Sequence, residues 1–285
     1  MSEIWRALAA LCETPRPEMA SLAAALELGA LPQASEYTEL FVFQLSPYAS
    51  LYLGAEGMLG GAARDRVAGF WRALGLTPPP EPDHLATLLA FYAELSEHET
   101  QAADALAQAR WQHTRQAFLT EHLLSWLPVY LLALQQIAPV FYQRWAVLLR
   151  ELLVQEAVTV GPSDVLPLAW RESPSLPDPR QDGADAWRKG LMSPVQSGLI
   201  LTRRDLQRAA RELQLGSRIG ERRFALQALL EQDAAGLLAW LAQEATRQSR
   251  AYQTQLGWWP VIAATWGARA DATAKLLHAL SLEAM

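Results

Sequence analysis

This chain has one cysteine, Cys12, few glycines and no long apolar run, and each shortage excludes a class of protein. A single cysteine cannot form an internal disulfide framework. The longest apolar run, from Leu123 to Leu134, contains Pro128 and is too short to cross a bilayer. The start of the chain carries an acid and no apolar core, unlike a secretory signal. We therefore expect a soluble, cytoplasmic protein.

Motifs that usually mark an active site are also absent from the sequence. It has no Gly-x-Ser-x-Gly turn, no phosphate loop and no dinucleotide fingerprint. Glu94 and His98 stand one helical turn apart, but no further metal ligands accompany them. His84 has no partner nucleophile, and Cys12 lies in an apolar helix, where a cysteine is buried rather than reactive. We predict that the protein is not an enzyme and has no catalytic residue, metal site or cofactor of its own.

What the sequence does have is a helix-forming composition. Apolar residues make up 51% and charged residues 19%, the balance of a globular protein, and good helix formers dominate. Alternating apolar and polar runs are hard to find, so the predicted fold is all-α. Start and stop signals predict helices over 2–13, 17–28, 35–43, 62–74, 83–97, 101–134, 139–158, 202–215, 220–232, 234–256 and 260–282.

The composition changes after residue 160, which predicts two helical regions. Residues 161–183 contain five prolines and no periodicity, and we interpret them as a linker or a wrapped loop. We expect a helical domain over 1–160, this proline-rich linker over 161–183, and an additional C-terminal helical region over 184–285.

Charge is unevenly distributed along the chain. Residues 17–63 contain five glutamates but no lysine or arginine, and residues 1–160 carry 17 acidic against 9 basic side chains. A surface built from the base-free stretch attracts cationic partners, although a solvated acidic face has the same composition. Between 203 and 223, seven arginines stand against three acids, and the two helices there allow a helix-turn-helix.

The most specific motif is Glu81-Pro82-Asp83-His84, which comes directly before a strongly amphipathic helix. Proline disfavours the helical conformation for the residue before it. We expect Asp83 to be the N-cap of that helix, accepting from amides of the first turn, and His84 to lie in that turn. The link over 77–82 is short and rich in proline, which favours exchange of helices between two copies and thus a domain-swapped homodimer.

Two further segments accompany this motif. The first extends from Tyr37 to Tyr52 and is rich in aromatic rings, which favour binding of another chain. The second reads Phe-Leu-x-x-His-Leu-x-x-Trp over residues 118–126. In this order and spacing, the three segments resemble the TorD-like family of redox-enzyme maturation chaperones. The resemblance covers residues 1–160.

The resemblance implies an all-α helical bundle of the TorD-like type that binds another protein and catalyses nothing. Such chaperones bind the signal peptide or unfinished body of a molybdenum-cofactor oxidoreductase of the dimethyl-sulfoxide-reductase type. They hold it until its cofactor is inserted and so delay twin-arginine export. Carried over by position, the client-binding surface comprises Leu40, Phe41, Pro47, Ser50, Tyr52, Asp83 and His84. Its expected supports are Glu81, His122 and Trp126.

The expected partner is therefore the catalytic subunit of a molybdoenzyme or its twin-arginine leader, but two other functions stay open. An assembly factor similar to the delta subunit of nitrate reductase would act on a client without an export signal. A DNA-binding regulator would use the arginine-rich C-terminal helices. The net charge of −6 and the lack of a clean recognition face argue against nucleic acid as the partner.

Overall fold

A computed structural model describes residues 2–55, 57–161, 165–216 and 220–284, and these parts of the chain form helices and no strand. The all-α prediction is confirmed. The helices are α1 (Ser2–Ala10), a 3-10 turn (Pro17–Met19), α2 (Ala20–Ala25), α3 (Ala34–Tyr37), a π-helix (Thr38–Gln44), α4 (Ala49–Leu53), α5 (Gly61–Ala73), α6 (Leu85–Thr100), α7 (Ala105–Phe118), a second π-helix (Leu119–Leu124), α8 (Leu127–Ile137), α9 (Val140–Val160), α10 (Leu168–Glu172), α11 (Pro179–Asp182), α12 (Ala184–Leu191), α13 (Pro194–Ser197), α14 (Arg203–Glu212), α15 (Arg222–Gln232), α16 (Ala234–Gln255) and α17 (Pro260–Glu283).

Local sequence signals explain where several of these helices begin and end. The Asp104 carboxylate accepts from the Ala107 amide at 2.8 Å, which satisfies an otherwise unpaired donor at the start of α7. Thr202 and Asp205 form a reciprocal capping box at the start of α14. Gly75, with a φ of +77°, follows the end of α5 in a conformation that glycine adopts at little cost.

The helix expected over 101–134 is broken in the structure. α7 passes into the second π-helix, and α8 begins only after a turn at Ser125 and Trp126. The break has a local cause, because Pro128 lacks an amide donor and its ring would clash with the carbonyl one turn earlier. Among the described residues no single helix is long and apolar enough to span a membrane, although this bent pair, Ala105–Leu124 with Leu127–Ile137, passes by length and composition.

The chain divides into two compact units. The N-terminal unit comprises Met1–Ser50 and Leu59–Arg171, and the C-terminal unit comprises Leu51–Met58 and Glu172–Met285. The short stretch Leu51–Met58 thus belongs to the unit formed by the far end of the chain. The domain boundaries expected from composition stay predictions. Within the expected linker, residues 162–164 lie outside the described residues, and the part from 165 onward contains α10 and α11.

In the N-terminal unit, α6 packs against α1 and α7. The ring of Trp5 on α1 meets the ring of Tyr92 on α6 edge to face, with centroids 4.8 Å apart. The Tyr92 hydroxyl donates to Glu156 at 2.6 Å, and Arg115 pairs with the same carboxylate at 3.0 Å. Both Glu156 and Arg115 are buried and have lost the stabilisation of their charges by water. The pairing of the two opposite charges compensates for that loss.

In the C-terminal unit, α16 and α17 form the most extensively packed pair of helices. The chain between α13 and α14 has no regular secondary structure and is buried. Gln248 on α16 binds both backbone groups of Ile200, accepting from its amide at 3.0 Å and donating to its carbonyl at 3.1 Å. The side-chain amide of Gln248 therefore pairs the backbone N–H and C=O of Ile200, as an adjacent β-strand would. This pairing is needed because buried backbone groups must be hydrogen-bonded.

Candidate functional site

The Glu81–His84 motif forms a corner, but its capping arrangement differs from the prediction. His84, and not Asp83, is the N-cap of α6, and its Nδ1 accepts from the Ala86 amide at 3.2 Å. The Asp83 carboxylate instead accepts from the Ser50 amide at 3.2 Å, in the first turn of α4. The expectation that Asp83 caps its own helix is wrong, because α4 presents unpaired amides to the same carboxylate.

Backbone hydrogen bonds join this corner to the chain before α4. The Ala49 amide donates to the Asp83 carbonyl at 3.0 Å, and the Leu85 amide donates to the Pro47 carbonyl at 2.8 Å. An isolated antiparallel bridge links Tyr48 and His84. The structure thus brings together Pro47, Ser50 and the Glu81–His84 motif, which are more than 30 residues apart in the sequence.

His84 is a capping imidazole with acidic neighbours. Because Nδ1 accepts a hydrogen bond, the ring proton lies on Nε2. Burial lowers the pKa of His84, and the nearby carboxylates of Glu13, Glu81 and Asp83 offset part of that shift. The Glu13 carboxylate lies 4.0 Å from Nδ1 of His84. The Tyr48 ring packs edge-on against the imidazole, with ring centroids 4.8 Å apart. The Tyr48 hydroxyl donates to the exposed Glu81 carboxylate at 3.0 Å.

The first π-helix buries two of the seven residues that the resemblance places in the binding surface. Leu40 and Phe41 are each only 2% exposed, and Phe41 packs edge-on against Tyr142 with ring centroids 4.8 Å apart. The next two residues, Val42 and Phe43, are 56% and 42% exposed. In this conformation Leu40 and Phe41 support the surface from inside, and their two neighbours present apolar area to solvent.

The third segment lies in the core of the N-terminal unit. His122 packs among aromatic rings. The centroid of its imidazole lies 5.4 Å from the ring centroid of Phe70 and 5.1 Å from that of Phe118. Burial lowers the pKa of His122 to about 3. The Trp126 indole donates to the His122 carbonyl at 2.9 Å. Both residues are buried, which suits the supporting role expected of them.

Tyr52 belongs to the C-terminal unit, whereas the other predicted site residues belong to the N-terminal unit. Its side chain is buried there, and burial raises the pKa of its hydroxyl, an effect that the charge of Arg222 opposes. The sequence alone did not indicate that the aromatic stretch 37–52 is divided between two units.

Sequence reasoning missed an open groove of about 610 Å³ in the N-terminal unit. Four alanines line it where α1 and α6 meet, Ala9 and Ala10 on α1 and Ala86 and Ala90 on α6. Small side chains leave room there, and Ala86 is the residue that hydrogen-bonds to His84. The signal in the sequence was the pair of alanines one turn apart on α6, which an apolar stripe of larger residues concealed.

The edge of this groove combines aromatic and acidic side chains. Trp71 and Phe91 lie stacked with centroids 4.0 Å apart on its lining. Glu13 and Glu94 also line it, while the third charged residue, Arg6, is paired with Glu97. Since Glu97 offsets the charge of Arg6, the net field in the groove comes from the two glutamates and favours a cationic group.

The arginine-rich helices of the C-terminal unit use part of their charge internally. Arg208 pairs with buried Glu244 at 2.8 Å and lies over the Trp240 ring at 4.7 Å. Arg222 donates to the Leu201 carbonyl at 2.6 Å. Arg218, which also belongs to the arginine-rich stretch, lies outside the described residues. Two of the arginines thus stabilise the unit itself.

A comparison with protein families matches residues 5–131 to the family described as the nitrate reductase delta subunit. The matched part contains all three motif segments, the Glu81–His84 corner and the alanine-lined groove. Residues 5–131 are therefore similar to this family. It is a family of redox-enzyme assembly chaperones, so the resemblance to the TorD-like chaperones is confirmed. The match covers less than half of the chain, and a comparison with curated proteins finds none that matches.

Proposed function

We propose that the protein is a cytoplasmic chaperone for a molybdenum-cofactor oxidoreductase of the dimethyl-sulfoxide-reductase type. It binds the signal peptide or the apo form of this client and holds it until cofactor insertion and twin-arginine export. The observation that carries the proposal is the alanine-lined groove beside the Asp83–His84 corner, with Glu13 and Glu94 at its edge. It offers apolar area and negative charge together.

The client-binding surface follows from what is accessible. The groove takes the apolar helix of a twin-arginine leader, and the two glutamates attract its arginine pair. Burying three or four leucine-sized groups, at about 1.5–3 kcal/mol each and less the cost of ordering the peptide, gives micromolar or somewhat tighter binding. Glu13 connects the groove to the Asp83–His84 corner, because it lines the groove and its carboxylate lies 4.0 Å from Nδ1 of His84. Pro47 and Ser50 hold that corner through hydrogen bonds to the chain around it.

Filling the groove tests this assignment directly. We expect Ala90→Phe to weaken binding of a twin-arginine leader peptide by about tenfold or more, because the new ring occupies space that the peptide needs. Isothermal titration calorimetry measures the affinity. Ala109→Phe places the same side chain at an exposed position of α7 and is the matched control. Equal affinity for the two variants contradicts the groove as the binding site.

The negative charge of the groove predicts that leader binding depends on salt concentration. The leader should bind more weakly as salt rises above about 0.15 M, where screening acts within about 8 Å. Glu13→Gln combined with Glu94→Gln should reduce that salt dependence, and Glu151→Gln, exposed on α9, should leave it unchanged. An identical salt dependence in the double variant would show that these two carboxylates do not attract the leader.

A second candidate is an assembly factor for a client without an export signal, which the description of the matched family favours. The two functions differ in what the wild-type protein binds. If it binds no leader at high micromolar concentration but co-purifies with the apo catalytic subunit of a molybdoenzyme, the assembly factor is the correct function and the export chaperone is not.

A further inference from the structure

The segment Leu51–Met58 is held by residues that lie more than 130 positions away in the sequence. The Ser193 hydroxyl donates to the Gly54 carbonyl at 2.9 Å, and the Gln196 side-chain amide donates to the Ala55 carbonyl. Ser193 and Gln196 are both buried. Two backbone carbonyls of a short loop are thus bound by side chains of the C-terminal unit, and the Gly54 carbonyl also accepts from the Gly57 amide within the loop at 3.1 Å.

The backbone of this segment also packs closely against the same element. Gly57 has a φ of +59°, and a Cβ atom built on it would lie 2.8 Å from the Met192 carbonyl oxygen. Only glycine fits at that position without a shift of backbone. Earlier in the segment, Tyr52 and Leu53 are buried, at 4% and 6% exposure. The C-terminal unit therefore holds this stretch by hydrogen bonds, by close backbone contact and by burial.

The consequence concerns α4, which continues from Ala49–Ser50 into the held segment. A helix of five residues is not stable alone, so its conformation depends on tertiary contacts at both ends. At its start, the Ala49 and Ser50 amides donate to Asp83, beside His84. At its end, the chain is held by Ser193 and Gln196. The two sets of contacts are therefore joined by one short helix, Ala49–Leu53.

We propose that the C-terminal unit holds Leu51–Met58 and thereby positions α4 at the Asp83–His84 corner, with Ser193 and Gln196 as positioning residues. This assigns a role to the region after residue 171, which the family match does not reach. The effect on client binding rests on the proposed function, whereas the effect on the conformation of α4 does not.

Hydrogen exchange on the full-length protein tests the proposal without a ligand. We expect Ser193→Ala with Gln196→Ala to accelerate exchange of the amides of residues 49–58 by about tenfold, since two hydrogen bonds that restrain them are lost. Ser249→Ala is the matched control, because it removes a buried hydrogen bond to Gly267 within the same unit. It should leave residues 49–58 unchanged. Unchanged exchange of residues 51–58 in the double variant overturns the proposal, and so does acceleration that stops short of Ala49 and Ser50.

A second variant covers the case in which the double variant does not fold. Gly57→Ala should displace the segment and accelerate the same amides, because its Cβ meets the Met192 carbonyl. Gly61→Ala is its control, since Gly61 has a similar φ of +67° but open space at the Cβ position. Equal exchange of residues 51–58 in these two variants contradicts the close contact on which the proposal depends.

Titration of a twin-arginine leader separates this proposal from the proposed function. If the wild type binds the leader, the double variant should bind it several-fold more weakly than Ser249→Ala does. Equal affinities would overturn the positioning role of Ser193 and Gln196. If the wild type binds no leader, the export function fails, and the exchange results alone decide whether the C-terminal unit positions α4.

Discussion

His122 shows at the scale of a single residue how burial sets charge. Its ring lies among phenylalanines, and burial lowers its pKa to about 3, with the charge of Arg66 acting in the same direction. In the unfolded chain a histidine titrates near pH 6.5. Because the folded pKa is the lower one, the stability that His122 contributes is complete above about pH 6.5. It is lost as the pH falls from about 6.5 towards 3.

Replacing this histidine should flatten the pH dependence of stability. Between about pH 6.5 and 4, the free energy of unfolding of His122→Phe should fall by about 1 kcal/mol less per pH unit than that of the wild type. Urea denaturation at four pH values measures both slopes. His113→Phe, at an exposed position of α7, is the control and should keep the wild-type slope. A wild-type slope in His122→Phe would mean that folding does not lower the pKa of His122.

At the scale of elements, the start of α6 depends on a histidine used as a cap. Asparagine also accepts from first-turn amides, so His84→Asn should retain the stability of the wild type. His84→Ala should lose about 1 kcal/mol, which urea denaturation measures. Both variants remove the imidazole beside Glu13, so both should weaken leader binding equally if the ring contributes to the site. Full binding by His84→Asn would assign His84 a purely structural role.

The start of α4 gives a parallel prediction for Asp83. Asp83→Ala removes the acceptor of the Ser50 amide and should cost about 1 kcal/mol, which a unit of this size survives. We expect Asp83→Ala and His84→Ala to impair client maturation more than folding. Circular dichroism and the yield of active client measure the two effects. If both variants are unfolded, the Asp83–His84 corner is structural and is not part of the client site.

At the scale of the whole molecule, the C-terminal unit is required to bury a piece of the N-terminal half. A chain that ends at Arg171 lacks every partner that Leu51–Met58 has within its unit. We expect this truncated protein to fold but to expose Tyr52 and Leu53, to bind a fluorescent hydrophobic dye and to aggregate more readily. The full-length protein is the control. A truncated protein that binds no more dye than the full-length one would contradict this prediction.

Much of the fold and part of the site could be predicted from the sequence alone. A helix-forming composition predicted the all-α class. Capping residues such as Asp104 and Thr202 act within one helical turn, so the sequence also indicated where their helices begin. The order and spacing of the three motif segments indicated the family to which residues 5–131 are similar. Short helices such as α10 and α11 were missed, because they have too few residues to show periodicity.

Only the tertiary structure decided which groups meet. Asp83 caps α4 rather than its own helix, Leu40 and Phe41 turn into the core, and Leu51–Met58 joins the C-terminal unit. The groove exists because alanines on α1 and α6, about 80 residues apart in the chain, face each other. The physical reason is common to these cases. A carboxylate or an amide hydrogen-bonds to whichever partner the packing brings near it, and an apolar face is buried in the same way. The distance between the partners in the sequence does not determine which groups meet.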